Sequence, residues 1–453
     1  MTAVRFIGIV FFFALNMASG GWFFPAQAEF TPAQLLEQAT LAFTQGDFPK
    51  AFELVDPLVE KSPAMRDGSR LKMLSLVRMG KTKDGVQAFD EFVKASGRND
   101  EPLLRELAIQ SILPFRSDMR EQVRGSAYSA LKELQSPEAL PYYKDGLSDG
   151  SGMIRVLVAE GMGVFPEGRK MEAFRGALND QAGLVRVTIL NAFGRSGDTS
   201  TIPLITPFLV DKQEAVQVAA AAALYRLGQK DQWERVERAT KVKEGYERGS
   251  ALRMVGEIGE KRGLPLLELG LRDKQPSIRA AAVASLGKLG LPEGVPLVIR
   301  ALSEPVPAVR SVAAVTLGKL KAEDAIPALT AALRDKNMGV KAAAVAGLLQ
   351  LNSPFRIVRD TVRELIGQQN PGIRSSAAKA LAHGRVRDVG GILRLLLNDP
   401  VPKPRISATR SLGRVAGREV IPHLKNILKD PNESVRATAA GAIARILSTP
   451  PQT

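Results

Sequence analysis

The segment from Ile278 to Gly290 reads Ile-Arg-Ala-Ala-Ala-Val-Ala-Ser-Leu-Gly-Lys-Leu-Gly, and it recurs along most of the chain. Counting from Arg279, equivalent positions fall at Arg124, Arg155, Arg186, Gln217, Arg248, Arg310, Lys341, Arg374, Arg405 and Arg436. Every step is 31 residues except Lys341 to Arg374, which is 33. A fixed period held over eleven copies predicts a solenoid in which each unit buries its apolar face against its neighbours. This is the strongest constraint in the sequence, because it ties length to the number of units rather than to separate domains.

With the Arg279 series as position zero, apolar residues precede it at −15, −12 and −8, as in Leu264, Leu267 and Leu271. Others lie at −1, +3, +7 and +10, as in Ile278, Ala282, Leu286 and Leu289. Both sets follow helical spacing, so each unit is read as two antiparallel helices, A then B. Proline at −14, as in Pro203, Pro265 and Pro327, falls in the first turn of helix A, where its missing N–H is not needed. Glycine at +11, in Gly197, Gly228, Gly259 and Gly290, marks the end of helix B. Glycine at +8, as in Gly194, Gly256 and Gly287, lies inside that helix, and its helix-destabilising cost of about 1 kcal/mol implies close approach of a neighbouring helix.

The recurring pattern, Ile-Pro-x-Leu, then Leu-x-Asp, then Val-Arg-x-x-Ala-Ala-x-x-Leu-Gly, resembles HEAT repeats of the short kind found in bilin lyases, over roughly three quarters of the chain. The resemblance implies an all-α, right-handed armadillo-type superhelix with A helices outside and B helices on the concave face. Residues 101–447 make the expected solenoid, with a tail at 448–453. Residues 29–100 are expected to form two further helical hairpins. Their turns, Gly46-Asp47-Phe48 and Gly80, are 34 residues apart, and with Ala51 and Pro63 the first hairpin resembles tetratricopeptide repeats.

Residues 1–28 differ in kind. One charge, Arg5, precedes an apolar run from Phe6 to Leu15, and Ala26-Gln27-Ala28 stands before Glu29. This is the layout of a cleaved export signal. The alternative is an uncleaved anchor, although Asn16, Ser19, Gly20 and Gly21 leave the run short for a span of about 20 residues. With no cysteine anywhere, neither disulfides nor a lipid-modified N-terminal cysteine can form. The expectation is therefore an exported protein, periplasmic first, secreted or N-terminally anchored as alternatives.

In nine of the eleven units an acid precedes the basic position by six residues. The pairs include Asp149/Arg155, Asp180/Arg186, Asp273/Arg279, Glu304/Arg310, Asp399/Arg405 and Asp430/Arg436. A pair seen once would suggest a catalytic site, whereas nine recurrences indicate a structural element. The HEAT resemblance implies a ladder joining the loops of successive units. The carboxylates are also placed to cap helix B.

The functional candidates lie on another row. Position +9 of helix B holds Arg195, Arg226, Lys288, Lys319, His383, Arg414 and Arg445, with only Glu133 and Glu257 acidic. Arg253, Lys379 and Arg410 join it from +5. Net charge is +15, and all of the basic excess falls on the repeat array. The row is a candidate surface for an acidic protein, an anionic lipid or an envelope polymer. The plainer reading is a solvated basic face that keeps an Ala-rich solenoid in solution. Nucleic acid, the usual partner of a basic stripe, does not fit an exported protein.

Enzymatic signatures are lacking. His383 and His423 are the only histidines and form no His-x-x-x-His or His-Glu pair. The iron-binding His-Glu pairs of deoxyhypusine hydroxylase, an enzyme built from the same repeats, are therefore missing. Gly80-Lys81-Thr82 lacks the first glycine of a phosphate-binding loop, and Gly161-Met162-Gly163 falls within a B helix. No catalytic residue, metal or cofactor is expected. The reading is a non-enzymatic adaptor or assembly factor of the bacterial envelope. A bilin-lyase-like or chaperone activity, or docking to anionic lipid or polymer, are its alternatives. The 33-residue step is either a neutral insertion or a bend that positions a site. The last B helix has no polar capping unit after it, which leaves an end open to stacking by a second copy, with the oligomeric state undecided by the sequence.

Overall fold

The computed structural model describes residues 30–449, and among them every regular element is helical. The expected export signal lies outside the described residues, as do the last four positions of the tail. Four N-terminal helices come first: α1 (Pro32–Thr44), α2 (Phe48–Lys61), α3 (Arg66–Arg78) and α4 (Thr82–Ser96). Thr31 and Gln34 form a capping box that starts α1. Gly46 and Gly80 make the two predicted turns with φ of +85° and +80°. Ala39, Val55, Val59 and Leu71 form a small core of their own, whereas from Met73 to Ile446 the core is continuous. The boundary expected near residue 100 therefore falls in the loop before Glu101, with packing unbroken across it.

The eleven B helices span Glu121–Glu133, Gly152–Gly163, Gly183–Ser196, Glu214–Arg226, Gly245–Ile258, Pro276–Leu289, Pro307–Lys319, Met338–Gln350, Pro371–Leu381, Pro402–Val415 and Glu433–Ser448. We number their units 1 to 11. In most units helix A is short and continues into 3₁₀ turns, whereas those of units 9 and 10, Phe355–Ile366 and Val386–Leu396, are unbroken α-helices. The extra length of the 33-residue step is thus absorbed as regular helix. In seven of the eleven units the B helix ends in left-handed backbone at +11. Glycine takes that conformation at Gly197, Gly228, Gly259 and Gly290, and Gln135, Lys321 and Asn352 take it in units 1, 7 and 8. The +8 glycines do allow close approach: a Cβ on Gly194 would lie 2.7 Å from the Cα of Ala223 in the next unit.

The arginine at position zero links two loops. Arg155 Nε donates to Asp180 Oδ2 at 2.6 Å, and its Nη1 donates to the backbone carbonyl of Asp149 at 2.8 Å. The residue six positions earlier thus supplies its carbonyl, and the carboxylate comes from the following unit, 25 residues later. Asp180 in turn accepts the Ala182 N–H at the start of its own B helix. Eight such links form: Arg124–Asp149, Arg155–Asp180, Arg186–Asp211, Arg248–Asp273, Arg279–Glu304, Arg310–Asp335, Arg374–Asp399 and Arg405–Asp430. The two units without an acid follow the two without an arginine. Gln217 faces a chain that has Val242 at the acid position, and Lys341 faces one that has Gln368. Lys341 pairs instead with Glu364 at 2.7 Å.

The array does not end in an open face. The B helix of unit 11 packs against Glu101–Ile112 and Glu121–Glu133, the two helices of unit 1. Unit 1 therefore occupies the place of a twelfth unit, and the solenoid closes into a ring. Residues Ala437 to Ala444 are all buried, so this helix is covered on every side. A Cβ on Gly441 would lie 2.8 Å from the Cα of Ala130 in unit 1. Arg418 bonds Glu101 at 3.0 Å, Arg105 bonds Ser448 at 2.9 Å, and Lys425 reaches back to Asp90 on α4. The expected end for a second copy is thus taken by the chain's own beginning.

The seam uses its own charges. Asp118, the acid that Arg436 would meet if the ladder continued, is held by Arg120 at 2.9 Å, and Arg120 also reaches Glu433 at 3.3 Å. The hydrogen bond from Arg120 lowers the Asp118 pKa to about 2. Among the described residues Arg436 pairs only with Glu433 of its own helix, at 3.7 Å, and it stacks over Phe115.

The three ladder gaps, after units 4, 8 and 11, fall at the three B helices that are buried through positions +1 to +8. These stretches are Val218 to Tyr225, Ala342 to Leu349 and Ala437 to Ala444. Elsewhere part of the B helix is exposed. The +5 position in these three holds Ala222, Ala346 and Gly441, small enough for the flanking helices to close over it, whereas Ala284 of unit 6 is as small and stays exposed. Arg195 of unit 3 accordingly touches Glu257 of unit 5, and Arg414 of unit 10 touches Glu133 of unit 1. The flanking helices thus meet across units 4 and 11.

Candidate functional site

Residues two units apart meet only on the concave side of a curved array, so the Arg195–Glu257 and Arg414–Glu133 contacts place the +9 row on the inner face of the ring. Six of the ten candidate cations on this face are taken up by its two acids. Glu257 draws in Arg195 at 3.5 Å, Arg226 at 3.7 Å, and Lys288. Burial opposes ionisation of Glu257, but the hydrogen bond and charge of Lys288 and the charges of Arg195 and Arg226 hold its carboxyl below the usual range. Glu133 plays the same part at the seam, with Arg445 at 3.2 Å, Arg410 at 3.8 Å, and Arg414 bonding through Nε at 3.2 Å. Burial lowers the pKa of Arg410, with Glu133 acting against the shift.

Arg253, Lys319, Lys379 and His383 form no ion pair among the described residues. Burial lowers Lys379, and the nearby charges of Lys403 and Arg410 add to the shift. Burial likewise lowers His383, reinforced by Arg414 and Lys319, which favours the neutral imidazole. Arg253 retains solvent contact, yet crowding by surrounding protein atoms lowers its pKa. The face predicted as a continuous positive stripe is therefore two neutralising clusters with four free bases between them.

The opposite rim of the inner face was not singled out by the sequence. At position −2, the start of each B helix, units 2, 3 and 5 carry Met153, Leu184 and Tyr246, which are 63%, 46% and 69% exposed. Between the B helices of units 1 and 2 runs a groove of about 600 Å³. Gly125, Ser126 and Ser129 line one wall, and Met153, Val156 and Leu157 the other. Lys132 and Glu160 pair across one end, and Ser151 donates to Glu121 at 2.7 Å across the other. A signal was present in the sequence, since position −2 is apolar and large in these units but Ser, Ala or Gly in units 4, 6, 7, 8, 9 and 11.

A family model of HEAT repeats matches residues 171–255, 236–306, 264–349 and 389–452, together more than half of the chain. The chain belongs to the HEAT-repeat family. No curated protein matches it. Among solved structures, human deoxyhypusine hydroxylase in complex with glycerol is 21% identical over 55% of this chain and 98% of its own, with a TM-score of 0.31. The complex of CpcE and CpcF of phycocyanin lyase from a Nostoc species is 19% identical over 49% of this chain and 94% of its own, at 0.34. The Escherichia coli protein YibA is 18% identical over 59% of this chain and 98% of its own, at 0.34. As a HEAT protein, the chain has a repeat register in which the ladder arginines are structural, and its functional candidates are the inner-face residues that depart from that register.

Proposed function

We propose that this HEAT-repeat ring is a non-enzymatic scaffold of the bacterial cell envelope that binds a protein segment along its inner face. The observation that carries the reading is the exposed apolar rim of Met153, Leu184 and Tyr246 beside the groove between units 1 and 2. Exposed large apolar side chains gathered on one concave surface are typical of a binding surface rather than of a solvated one. Arg253, Lys319 and Lys379 on the same face, with the neutral His383 beside them, favour a partner that is apolar along one edge and acidic along the other. The ion clusters at Glu133 and Glu257 leave less free charge than a lipid- or polymer-docking surface would use, so a protein partner is the better reading. Export rests on the character of residues 1–28.

A photo-reactive residue at Leu184 or Tyr246, activated in intact cells, is expected to trap the same protein from both positions. Tyr246→Glu is expected to abolish the adduct formed from Leu184. Recovery of nothing above background from either position would refute the proposal.

A further inference from the structure

A second cleft, of about 400 Å³, lies on the rim where the B helices end, between the turns that enter units 9 and 10. Arg356 and Arg359 reach it from the first turns of the unit 9 A helix, and Arg385 and Arg387 from the start of the unit 10 A helix. All four are exposed, and none forms an ion pair or a side-chain hydrogen bond among the described residues. Asp388 is the single acid in the lining. Ser353, which also lines the cleft, has a buried hydroxyl with no hydrogen-bond partner. Neither A helix has a side-chain cap, so their first-turn N–H groups lack a partner from that source.

The same groove recurs between other turns with a different character. Between the turns entering units 7 and 8 it is about 530 Å³ and is lined by Leu291, Pro292, Val295, Glu323 and Asp324 among others. Between the turn entering unit 11 and the end of the unit 11 B helix its arginines are already engaged, Arg414 and Arg445 by Glu133 and Arg418 by Glu101. The cleft at units 9 and 10 thus combines four uncompensated guanidiniums with an unsatisfied hydroxyl donor. Four such groups repel one another, an arrangement that a multiply charged anion relieves. Guanidinium forks match phosphate oxygens in pairs.

We infer that this cleft binds a phosphate-bearing ligand with at least two negative charges, of the size of a pyrophosphate or a small phosphate ester. The inference stands apart from the inner-face reading, since it rests on Arg356, Arg359, Arg385 and Arg387, none of which belongs to that reading, although His383 lines the cleft as well as the inner face. The test is calorimetric titration of the full chain with sodium pyrophosphate. Saturable binding at one site is expected, weakened about tenfold or more in Arg356→Gln/Arg387→Gln. Arg300→Gln/Arg334→Gln, which removes equal charge from exposed positions elsewhere, is expected to leave it unchanged. Vesicles containing phosphatidic acid separate the sources. Vesicle binding displaced by pyrophosphate assigns a lipid headgroup, and pyrophosphate binding without vesicle binding assigns a soluble phosphate compound. Absence of saturable pyrophosphate binding, or equal weakening in both double variants, overturns the inference.

Discussion

Replacing Glu133 with alanine tests the ring directly, because this one carboxylate holds Arg410, Arg414 and Arg445 together where the last units meet the first. Opposite unit charges about 4 Å apart attract by about 4 kcal/mol at the effective dielectric suited to partly buried sites. The arginine side chains are 28% to 44% exposed, however, which screens each pair well below that figure. Loss of the carboxylate also leaves three cations facing one another. The net cost is about 2–3 kcal/mol, between the values for exposed and buried pairs. Because a solenoid's stability is a sum over neighbours, that cost falls on closure rather than on the whole array. It lowers the closed-to-open ratio by roughly 30- to 150-fold.

The chain has no cysteine, so cysteines introduced at Gln135 and Thr449 can carry spin labels on either side of the seam without competition. Double electron–electron resonance is expected to give one short, narrow distance in the parent protein and an added long, broad population in Glu133→Ala. Glu257→Ala is the control, since it strips the same kind of cluster from Arg195, Arg226 and Lys288 within the array. It is expected to lower stability without lengthening the label distance. If the two variants change the distance distribution equally, or the parent already shows long distances, closure through Glu133 is wrong.

Gly194→Val is expected to destabilise units 3 and 4 by about 1–3 kcal/mol in urea unfolding, because the added side chain must displace the Ala223 backbone; an unchanged midpoint would show that the helices can separate freely. Asp335→Ala removes the carboxylate that Arg310 grips at 2.7 Å and is expected to cost about 2–4 kcal/mol, with faster amide exchange confined to units 7 to 9. Uniform loss of protection across the ring would contradict a nearest-neighbour account. Low pH acts on the ladder and the seam together: Asp118 is lowered to about 2, and Asp335 and Asp399 are lowered by hydrogen bonds from Arg310 and Arg374. A folded pKa below the unfolded value of about 3.9 gives stabilisation that is complete above that value and lost as pH falls through the folded one. The thermal midpoint should therefore be level from neutral pH to about 5 and fall steeply below about 4; a flat profile down to pH 2 would remove the ladder from the stability account.

The sequence by itself determined the units, their two helices and the structural role of Arg155, Arg310 and their equivalents, and its resemblance to HEAT repeats implied the inward B helices. All of these are contacts between neighbours, and a 31-residue period repeats the same neighbour contacts at every step. It also marked Gly194 and Gly256 as close-approach positions, since a recurrent glycine inside a helix needs a packing reason. What the period could not give is the sum of the steps. A small change in rotation per unit, accumulated over eleven units, decides whether the ends meet, and it cannot be read from any one position, since Ala222 and Ala346 are buried while Ala284 at the equivalent place is exposed. Closure in turn decides which charges are free. Glu133 and Arg414 are 281 residues apart and face one another only because the ring is complete. The basic row was legible as a row, but its neutralisation by Glu133 and Glu257 belongs to curvature, which only the tertiary structure sets.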